Sequence, residues 1–524
     1  MNAFTDITKF FHRHAFRTSL LGAVAFAGFC LIPAAKAQTA IRRSDAANAF
    51  VKSRPTAPDT PSKQPSTSIA HNSGPFPENA LTQAWQHLLS DEQAKYAISS
   101  LCVLDAQSGQ VLFARNENIG LATASTLKTI TSATAFQILG KDFRYQTHLR
   151  YSGSISEDGT LRGDLILTGS GDPTLGSWRY AETKESKVLS AWVRAITAAG
   201  IKKVEGRIIA DDRLFGSQTM PDGWIWQDMG NYYGAGTSAL SWRENQFDIH
   251  LKPGSQTGAG VSIQKIVPGM PYLQIINELQ TGRAGSGDNA YGYLPPFRNV
   301  AYLRGTWGMG ISKTGISLAL PDPAYDAAFR LQDTLKRLNI PISEEARTAR
   351  QMELAGQSIP ANQQPLATIT SPSLSEIVYW FNKNSINLYG EQLLKTIAWK
   401  TGKTPTTRNG AAAEIAFWAT RGIDKHALNI IDGSGLSPGT RVTTLAMANI
   451  LFQAQKEDWF ADYYKSLPEN NGMKLKSGSI SDVAAYAGYH TAANGNRYII
   501  VININNYNGS AISKKLFKVL DALK

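Results

Sequence analysis

The chain has 524 residues, of which 43% are hydrophobic and 18% charged, a composition typical of a globular protein that buries large cores without disulfide bonds. Its formal net charge is +12, which would suit an anionic partner. Because neither zinc-finger spacing nor an RNP-like aromatic string accompanies this charge, we expect no nucleic acid as a partner.

The first residues have the pattern of a leader followed by a linker. Basic residues precede an apolar run at 20–35, which ends at Ala35-Lys36-Ala37. This pattern predicts a secretory signal peptide over 1–37, and hence export to the periplasm or the cell envelope. An uncleaved N-terminal anchor is the alternative. Residues 38–76 are rich in Pro, Ser, Thr and Ala, which predicts a disordered linker.

Globular patterning begins near Asn79 with a predicted helix. Two strand-like runs follow, Ser99–Asp105 and Gln110–Ala114, with turn residues between them. A second helix is predicted from Ser125 to Leu139, with Gly140 as its C-cap. The fold is therefore expected to begin with a helix, a hairpin and another helix.

The pattern changes after about residue 145. Short alternating runs and glycine turns dominate residues 145–320, which indicates a strand-rich region. A helix is predicted at Tyr325–Leu338, and strongly periodic helices return at Leu374–Phe381 and Leu388–Trp399. A β-rich block is thus expected between two parts that contain helices.

The C-terminal part predicts two strands and a last helix. Met473–Ile480 alternates, and Arg497–Asn505 is rich in Ile and Val and follows the hairpin signal Asn494-Gly495. The helix at Ser510–Leu523 has one apolar face and lysines on the other. It could lie on a membrane surface, but we expect it to pack on its own sheet, so that any membrane association is peripheral.

Ser125-Thr126-Leu127-Lys128 stands at a predicted helix start. The spacing puts both polar side chains on one face, where a neutral amine can accept the hydroxyl proton. Free N–H groups at the helix N-terminus also favour developing negative charge. A second Ser-x-x-Lys string, Ser262–Lys265, lies in an alternating segment that would send its side chains to opposite faces, and we reject it.

Two further motifs follow in order. Ser385-Ile386-Asn387 lies between two predicted helices, where a hydroxyl and an amide can both face a cleft. Lys476-Ser477-Gly478 lies in the alternating run before the terminal hairpin. Lys313-Thr314-Gly315 precedes the Ser-x-Asn motif and Lys400-Thr401-Gly402 stands at a helix end, so we prefer Lys476.

These three motifs in this order are the set found in penicillin-recognising serine enzymes. Ser125 and Ser385 are 260 residues apart, more than compact relatives of that fold need, so we interpret the β-rich block as an insertion. From about Ala97 onward, the chain resembles the D-alanyl-D-alanine carboxypeptidase/endopeptidase family, the low-molecular-mass class C penicillin-binding proteins. Three more segments resemble that family: Gly171–Leu175, Pro221–Met229 and Asp432–Ser437.

The resemblance implies an α/β (α+β) fold of the serine transpeptidase/β-lactamase-like type, in which helices flank an antiparallel sheet. The catalytic domain would comprise 77–144 and 361–524. The β-rich insertion would span 145–360 and contain two subdomains, the inner one at about 246–320.

The resemblance also implies roles for the motif residues. Ser125 would attack the carbonyl of the penultimate D-Ala, Lys128 would take the serine proton, and Ser385 would relay it to the leaving D-Ala. Asn387 would hold the peptide chain, while Lys476 would keep Lys128 neutral and bind the terminal carboxylate. The expected partners are peptidoglycan peptides and β-lactam antibiotics, and no metal or organic cofactor is needed.

Further residues would bind the substrate. Ser477 would share the terminal carboxylate, and the N–H groups of Ser125 and of Ser479, the residue after Gly478, would form the oxyanion hole.

In the family, a residue matching Asp228 binds the free amine of the substrate, and an aromatic residue, here Tyr233, lines the same pocket. Members often carry an arginine directly after Gly-Leu-Ser, where this chain has Pro438. Arg441 is the nearest candidate for the carboxylate on the substrate side chain.

Two other functions stay open at this point. A class A β-lactamase on the same fold needs a Glu-x-x-Leu-Asn segment, but here the string that begins at Glu391 ends in Lys395, and the Tyr-x-Asn string of class C enzymes does not occur. A non-catalytic envelope protein that binds glycan is the second alternative, and the presence of every catalytic side chain argues against it.

Overall fold

The computed structural model describes residues 74–524. The predicted signal peptide at 1–37 and residues 38–73 of the predicted linker lie outside the described residues. None of the helices within 74–524 combines the length and the apolar character that a bilayer crossing requires.

The described residues form eleven α-helices, and a 3₁₀ turn at Ala124–Leu127 precedes the second. The helices are α1 (Glu78–Leu89), α2 (Lys128–Leu139), α3 (Glu185–Ala198), α4 (Pro323–Arg337), α5 (Ala349–Leu354), α6 (Leu374–Lys383), α7 (Asn387–Lys400), α8 (Thr407–Thr420), α9 (Thr444–Ala454), α10 (Phe460–Ser466) and α11 (Ile512–Asp521).

The same residues contain the following strands. They are β1 (Ile98–Asp105), β2 (Val111–Arg115), β3 (Leu121–Ala122), β4 (Gln146–Ser152), β5 (Ser154–Ile155), β6 (Thr160–Arg162), β7 (Leu165–Thr168), β8 (Lys203–Glu205), β9 (Ile208–Asp211), β10 (Gln246–Lys252), β11 (Ser262–Val267), β12 (Gln274–Asn277), β13 (Gln280–Gly282), β14 (Asp288–Tyr293), β15 (Val300–Gly308), β16 (Gly315–Ala319), β17 (Arg347–Thr348), β18 (Gln363–Thr370), β19 (Leu428–Asn429), β20 (Arg441–Val442), β21 (Glu469–Asn470), β22 (Met473–Ile480), β23 (Val483–Thr491) and β24 (Arg497–Asn505).

A six-stranded antiparallel sheet joins the two ends of the described chain. Its strand order is β2-β1-β24-β23-β22-β21. Cys102 on β1 lies opposite Val501 on β24, and Lys476 on β22 lies opposite Ala487 on β23. The sheet therefore places the strand that carries Lys476 in one layer with the N-terminal hairpin.

Each face of this sheet is covered by helices. Because successive strand residues point to opposite faces, Cys102 and Leu104 enter a core with α2, α6, α7 and α9, whereas Leu101 and Val103 enter a second core with α1 and α11. Leu516 of α11 is fully buried in that second core. The predicted packing of the terminal helix on its own sheet is therefore confirmed.

The stretch between β3 and α6 builds separate sheets and cores. A five-stranded sheet, β17-β9-β7-β4-β18, packs with α3 and α4. Sheets β11-β10-β16 and β12-β15-β13, the latter extended by β14, share another core that runs from Phe247 to Leu320. The limits of the insertion at 145–360 and of its inner part at 246–320 stay a prediction.

The sequence analysis did not predict α3, α5, α8, α9 and α10, and two of these helices differ in the signal that their sequences carry. In α3, the buried Val188, Trp192 and Ile196 recur at every fourth position, which is a helical pattern inside a stretch interpreted as β-rich. The buried face of α8 consists largely of small and polar residues such as Gly410 and Glu414, so hydrophobic periodicity does not reveal it.

Candidate active site

Ser125 and Lys128 lie where the 3₁₀ turn passes into α2. The sequence predicts an α-helix from Ser125 onward, but Ala124–Leu127 is a 3₁₀ turn and α2 begins at Lys128. Nζ of Lys128 lies 2.8 Å from Oγ of Ser125. Lys128 is fully buried, while Ser125 is half-buried. The hydroxyl and the amine are therefore in direct contact, with the hydroxyl on the accessible side.

The amine of Lys128 has two more partners. Nζ lies 2.7 Å from Oδ1 of Asn387 and 2.7 Å from the carbonyl oxygen of Ser434. Both partners can only accept hydrogen bonds. A neutral amine would donate its two N–H groups to them, and its lone pair would then face the hydroxyl of Ser125.

Burial favours this neutral form. Removal of Lys128 from water, reinforced by the charge of Lys476, lowers the pKa of its amine well below the usual value, and the negative charges of Asp432 and Glu391 oppose that shift. Lys128 is therefore suited to accept a proton.

The Ser-x-Asn motif lies on the connection from α6 to α7. Ser385 has a left-handed backbone, with φ of 56°, and its Oγ lies 3.0 Å from Nζ of Lys476. Asn387, the first residue of α7, accepts from Lys128 through Oδ1 and donates through Nδ2 to the carbonyl of Tyr233 at 2.8 Å. The orientation of its amide is thus fixed from both ends.

Lys476 reaches the same pocket from β22. It is buried, and its Nζ donates to Ser385 Oγ and, at 2.7 Å, to the carbonyl of Ser477. Burial lowers the pKa of Lys476 to about 7. The structure brings all five predicted catalytic side chains together: Ser125, Lys128, Ser385, Asn387 and Lys476.

Gly478 lets β22 approach the nucleophile closely. A Cβ atom at this position would lie 2.8 Å from the backbone nitrogens of Ser125 and Thr126. Only glycine fits there without backbone movement. The backbone of Ser477–Ser479 therefore runs directly beside the N–H of Ser125, where the oxyanion hole is predicted.

Asp432 and Ser434 belong to the site, although the sequence analysis named them only as part of a family-like segment. The buried Asp432 carboxylate accepts from Trp224 Nε1 at 3.1 Å, from the N–H of Ser437 at 2.9 Å and from Thr440 Oγ1 at 2.6 Å. It thereby fixes the loop whose Ser434 carbonyl contacts Lys128.

Glu391 lies beside this loop, on α7. Both of its carboxylate oxygens lie 3.0 Å from the N–H of Gly433, and the side chain is fully buried. Burial, together with the charge of Asp432, raises its pKa to about 8. Since Glu391 is fully buried and its raised pKa favours the protonated form, it is poorly suited to activate a water in the way a class A β-lactamase requires.

Asp228 and Tyr233 lie on one irregular turn. The N–H of Asn231 donates to the carbonyl of Asp228 at 3.0 Å, and the Tyr233 carbonyl is held by Asn387. Both side chains are half-buried. Burial raises the pKa of Asp228 to about 6, and burial followed by the charge of Asp228 raises that of the Tyr233 phenol. The turn adjoins the catalytic pocket.

Arg441 is the third substrate-binding residue predicted outside the motifs. It is exposed on the short strand β20, where its backbone pairs with Ala122. Its side chain lines a cavity of about 640 Å³ with Asn118, His426 and Asn449. None of the described motif residues lines that cavity.

Comparison with known proteins agrees with this geometry. The sequence profile of the D-Ala-D-Ala carboxypeptidase 3 (S13) family matches residues 81–524. The chain belongs to this family. As an S13 member it is a serine-type hydrolase of the D-Ala-D-Ala carboxypeptidase class, as the motifs predicted.

Two curated relatives match most of the chain. The D-alanyl-D-alanine carboxypeptidase of Actinomadura sp. (strain R39) is 27% identical over 452 residues, which are 81% of this chain and 80% of that protein. The D-alanyl-D-alanine carboxypeptidase DacB of Haemophilus influenzae is 26% identical over 428 residues, which are 78% and 85% of the two chains.

Solved structures show the same fold. The crystal structure of penicillin binding protein 4 (dacB) from Haemophilus influenzae aligns with a TM-score of 0.70 at 22% identity and covers 84% of this chain and 97% of that one. A complex of that protein with a β-lactam aligns at 0.65, with 20% identity and the same coverage. The predicted penicillin-recognising fold is therefore confirmed.

Proposed function

We propose that this S13 family member is exported to the periplasm and cleaves the terminal D-Ala from peptidoglycan stem peptides, with Ser125 as its nucleophile. The observation that carries the proposal is the position of Lys128. Its buried amine has two obligate acceptors and the hydroxyl of Ser125 as partners, which suits a neutral base beside a nucleophile.

In the proposed acylation step, Oγ of Ser125 bonds to the carbonyl carbon of the penultimate D-Ala while its proton moves to Lys128. The oxyanion that forms accepts from the N–H groups of Ser125 and Ser479. Loss of one such donor typically costs about 3–4 kcal/mol of transition-state stabilisation. The approach of β22 at Gly478 supports this pairing of donors.

In the proposed second half, the tetrahedral intermediate collapses to the acyl-enzyme as the C–N bond to the terminal D-Ala breaks. The proton that Lys128 took from Ser125 passes through Ser385, whose hydroxyl contacts the Lys476 amine, to the nitrogen of the leaving D-Ala. Water then attacks the acyl-enzyme and releases the shortened peptide and free Ser125. If the acceptor is the amine of another peptide instead of water, a cross-link forms. If the amine that leaves belongs to a residue of a neighbouring stem peptide, the same attack cleaves a cross-link, which is endopeptidase activity.

Two substrate contacts are proposed. Lys476 and Ser477 would bind the terminal carboxylate, because the amine of Lys476 lies 3.0 Å from Ser385 Oγ in the same pocket. Asp228 would bind the free amine of the substrate side chain, and Tyr233 would line that pocket. Arg441, which lines the cavity beside β20, stays the candidate for the carboxylate on the substrate side chain. A β-lactam, which carries both an acyl group and a carboxylate, would acylate Ser125 in the same way.

Mass spectrometry after penicillin treatment tests the proposal. We expect one penicilloyl group on the peptide that contains Ser125, and none in Ser125→Ala. Ser262→Ala is a matched control, because this exposed serine on β11 belongs to the other Ser-x-x-Lys string. Labelling elsewhere, or cleavage of a D-Ala-D-Ala peptide by Ser125→Ala, would refute the assignment. Rapid release of the penicilloyl group would favour a β-lactamase instead.

A further inference from the structure

Lys395 is a buried lysine that the reaction does not use. It lies on α7, two helical turns after Asn387, and only 1% of it is exposed. Its ammonium donates to the backbone carbonyls of Phe215, at 3.4 Å, and of Gln218, and it lies 5.6 Å from the centre of the Phe215 ring. Burial of a charge is costly unless hydrogen bonds or an opposite charge compensate it, and here backbone carbonyls accept from the ammonium.

The two carbonyls begin the segment that carries Asp228. Residues 216–230, all of which the structure describes, form turns without an α-helix or a β-strand. Since no ladder of backbone hydrogen bonds fixes this stretch, its placement depends on contacts made at a few points.

Helix α7 supplies three of the contacts that hold this stretch and the residues just after it, and others come from Ser437 Oγ, which donates to the Gly223 carbonyl at 3.1 Å, and from the N–H of Thr237, which donates to the Thr219 carbonyl at 2.8 Å. Lys395 holds the start of the segment, Asn387 donates to the carbonyl of Tyr233, and Gln392 donates to the carbonyl of Ser238 at 2.9 Å. Trp224, between the first two points, is fixed through its indole N–H to Asp432. The helix that begins with the Ser-x-Asn motif therefore contacts the chain on both sides of Asp228.

We propose that Lys395 is a positioning residue, which sets the preference for a substrate side-chain amine by fixing the Phe215–Gln218 end of the segment that presents Asp228. This inference rests on the proposed function, in which Asp228 binds the amine. Among the described residues no side chain pairs with the Asp228 carboxylate, so its position is set by the backbone of the segment. Displacement of a binding group by a remote change reduces rates strongly.

The test compares two substrates that differ only at the amine. One is a peptide ending in Lys-D-Ala-D-Ala with a free lysine Nε, and the other is the same peptide with that amine acetylated. In Lys395→Met, which keeps the volume but removes the donors, we expect the ratio of kcat/KM for free over acetylated peptide to fall by about tenfold or more. We expect kcat/KM for the acetylated peptide and the rate of penicillin acylation to stay near those of the unaltered protein.

Controls separate positioning from folding. Lys400→Met removes an exposed lysine of the same helix and should leave the ratio unchanged, whereas Asp228→Asn should abolish the preference directly. Lys395→Arg restores donors and should recover part of it. If Lys395→Met fails to acylate at all, the ratio in Lys395→Gln decides instead.

Three results would overturn the inference. They are an unchanged ratio in Lys395→Met, an equal loss with both peptides and penicillin, and the absence of any amine preference in the unaltered protein. Failure of the proposed function looks different, because the unaltered protein would then neither acylate with penicillin nor cleave either peptide.

Discussion

Two buried lysines in one pocket must hold different protonation states for the proposed chemistry. Lys128 has to be neutral, and its pKa is lowered by burial and by the neighbouring Lys476. Lys476 has to be charged to bind a carboxylate, although burial lowers its pKa to about 7. We therefore expect kcat/KM for a D-Ala-D-Ala peptide to rise with pH as Lys128 loses its proton, and to fall above about pH 7 as Lys476 loses its own.

Initial rates between pH 4 and 10 at low substrate concentration measure this profile. Lys476→Arg carries a guanidinium that stays protonated, so it should keep the rising limb and lose the falling one. Lys128→Met lacks the base and should lose activity by about 10²- to 10⁴-fold at every pH. A falling limb that persists in Lys476→Arg would show that another group causes it.

At the scale of single residues, side chains with specific chemistry could be predicted and backbone partners could not. Ser125, Lys128 and Lys476 stand in short strings whose order is informative in the sequence. The carbonyl of Ser434, which contacts Lys128, has no sequence signal, because every residue has a carbonyl. Arg441 was predicted from its proximity along the chain to Pro438, and its role stays a prediction, since only the pairing of its backbone with Ala122 is fixed by the sheet.

At the scale of elements, the close contact between β22 and the 3₁₀ turn at Ala124–Leu127 leaves no room for an added side chain at Gly478. In Gly478→Ala the new Cβ would meet backbone atoms of Thr123, Ser125 and Thr126 at 2.7–2.8 Å, and backbone cannot move aside as a flexible side chain can. We expect about 1–3 kcal/mol lower stability and a loss of penicillin acylation of about 100-fold or more, because the oxyanion donors separate.

Urea unfolding and the rate of acylation measure these two effects of Gly478→Ala. Gly120→Ala is a matched control just before β3, since the nearest atom to its Cβ would be Cβ of Arg441 at 3.8 Å. It should leave both quantities almost unchanged. Normal acylation by Gly478→Ala would mean that the strand does not form the oxyanion hole.

The terminal helix α11 gives a second prediction at this scale. Leu516 is fully buried between α11 and the six-stranded sheet, so Leu516→Ala should lower the free energy of unfolding by about 2–5 kcal/mol. The exposed Lys514 lies two residues away, and Lys514→Ala should change it by less than about 0.5 kcal/mol. Equal effects of the two substitutions in urea unfolding would contradict the packing of α11 on the sheet.

Elements were predictable where one face is apolar and its period is clear. The strands β22 and β24 have the bounds that alternation and the Asn494-Gly495 turn indicated. Helix α8 was missed because it packs closely on α7 through Gly410, whose Cβ would lie 2.1 Å from the carbonyl oxygen of Leu394. Close packing of this kind selects small residues, and small residues carry little hydrophobic signal.

In the molecule as a whole, buried ionisable groups of both signs influence stability. Burial raises the pKa of Asp172 to about 6 and those of Glu391 and Glu414 to about 8, and it lowers that of Lys395 to about 8. A carboxyl group with a raised pKa binds a proton in the folded state that the unfolded chain has already lost. Its contribution to stability is therefore lost as pH rises through the folded pKa. The buried lysines act in the opposite direction at higher pH.

Glu414 isolates the carboxyl effect, because it lies on α8 and takes no part in the proposed chemistry. Its side chain is fully buried, its Oε1 lies 3.5 Å from Thr131 Oγ1, and its Oε2 has no partner among the described residues.

The substitution Glu414→Gln removes the titratable group and nearly keeps the shape of the side chain. Relative to the unaltered protein, the variant should differ little in stability at pH 5, where both folded side chains are neutral and the unfolded carboxyl is still near its own pKa, and be clearly more stable at pH 9, where the native carboxylate is charged and buried. Urea midpoints at the two pH values measure the difference, with the exposed Glu345→Gln as control. The same fall in midpoint from pH 5 to pH 9 in Glu414→Gln as in the unaltered protein would show that this carboxyl is not protonated when buried.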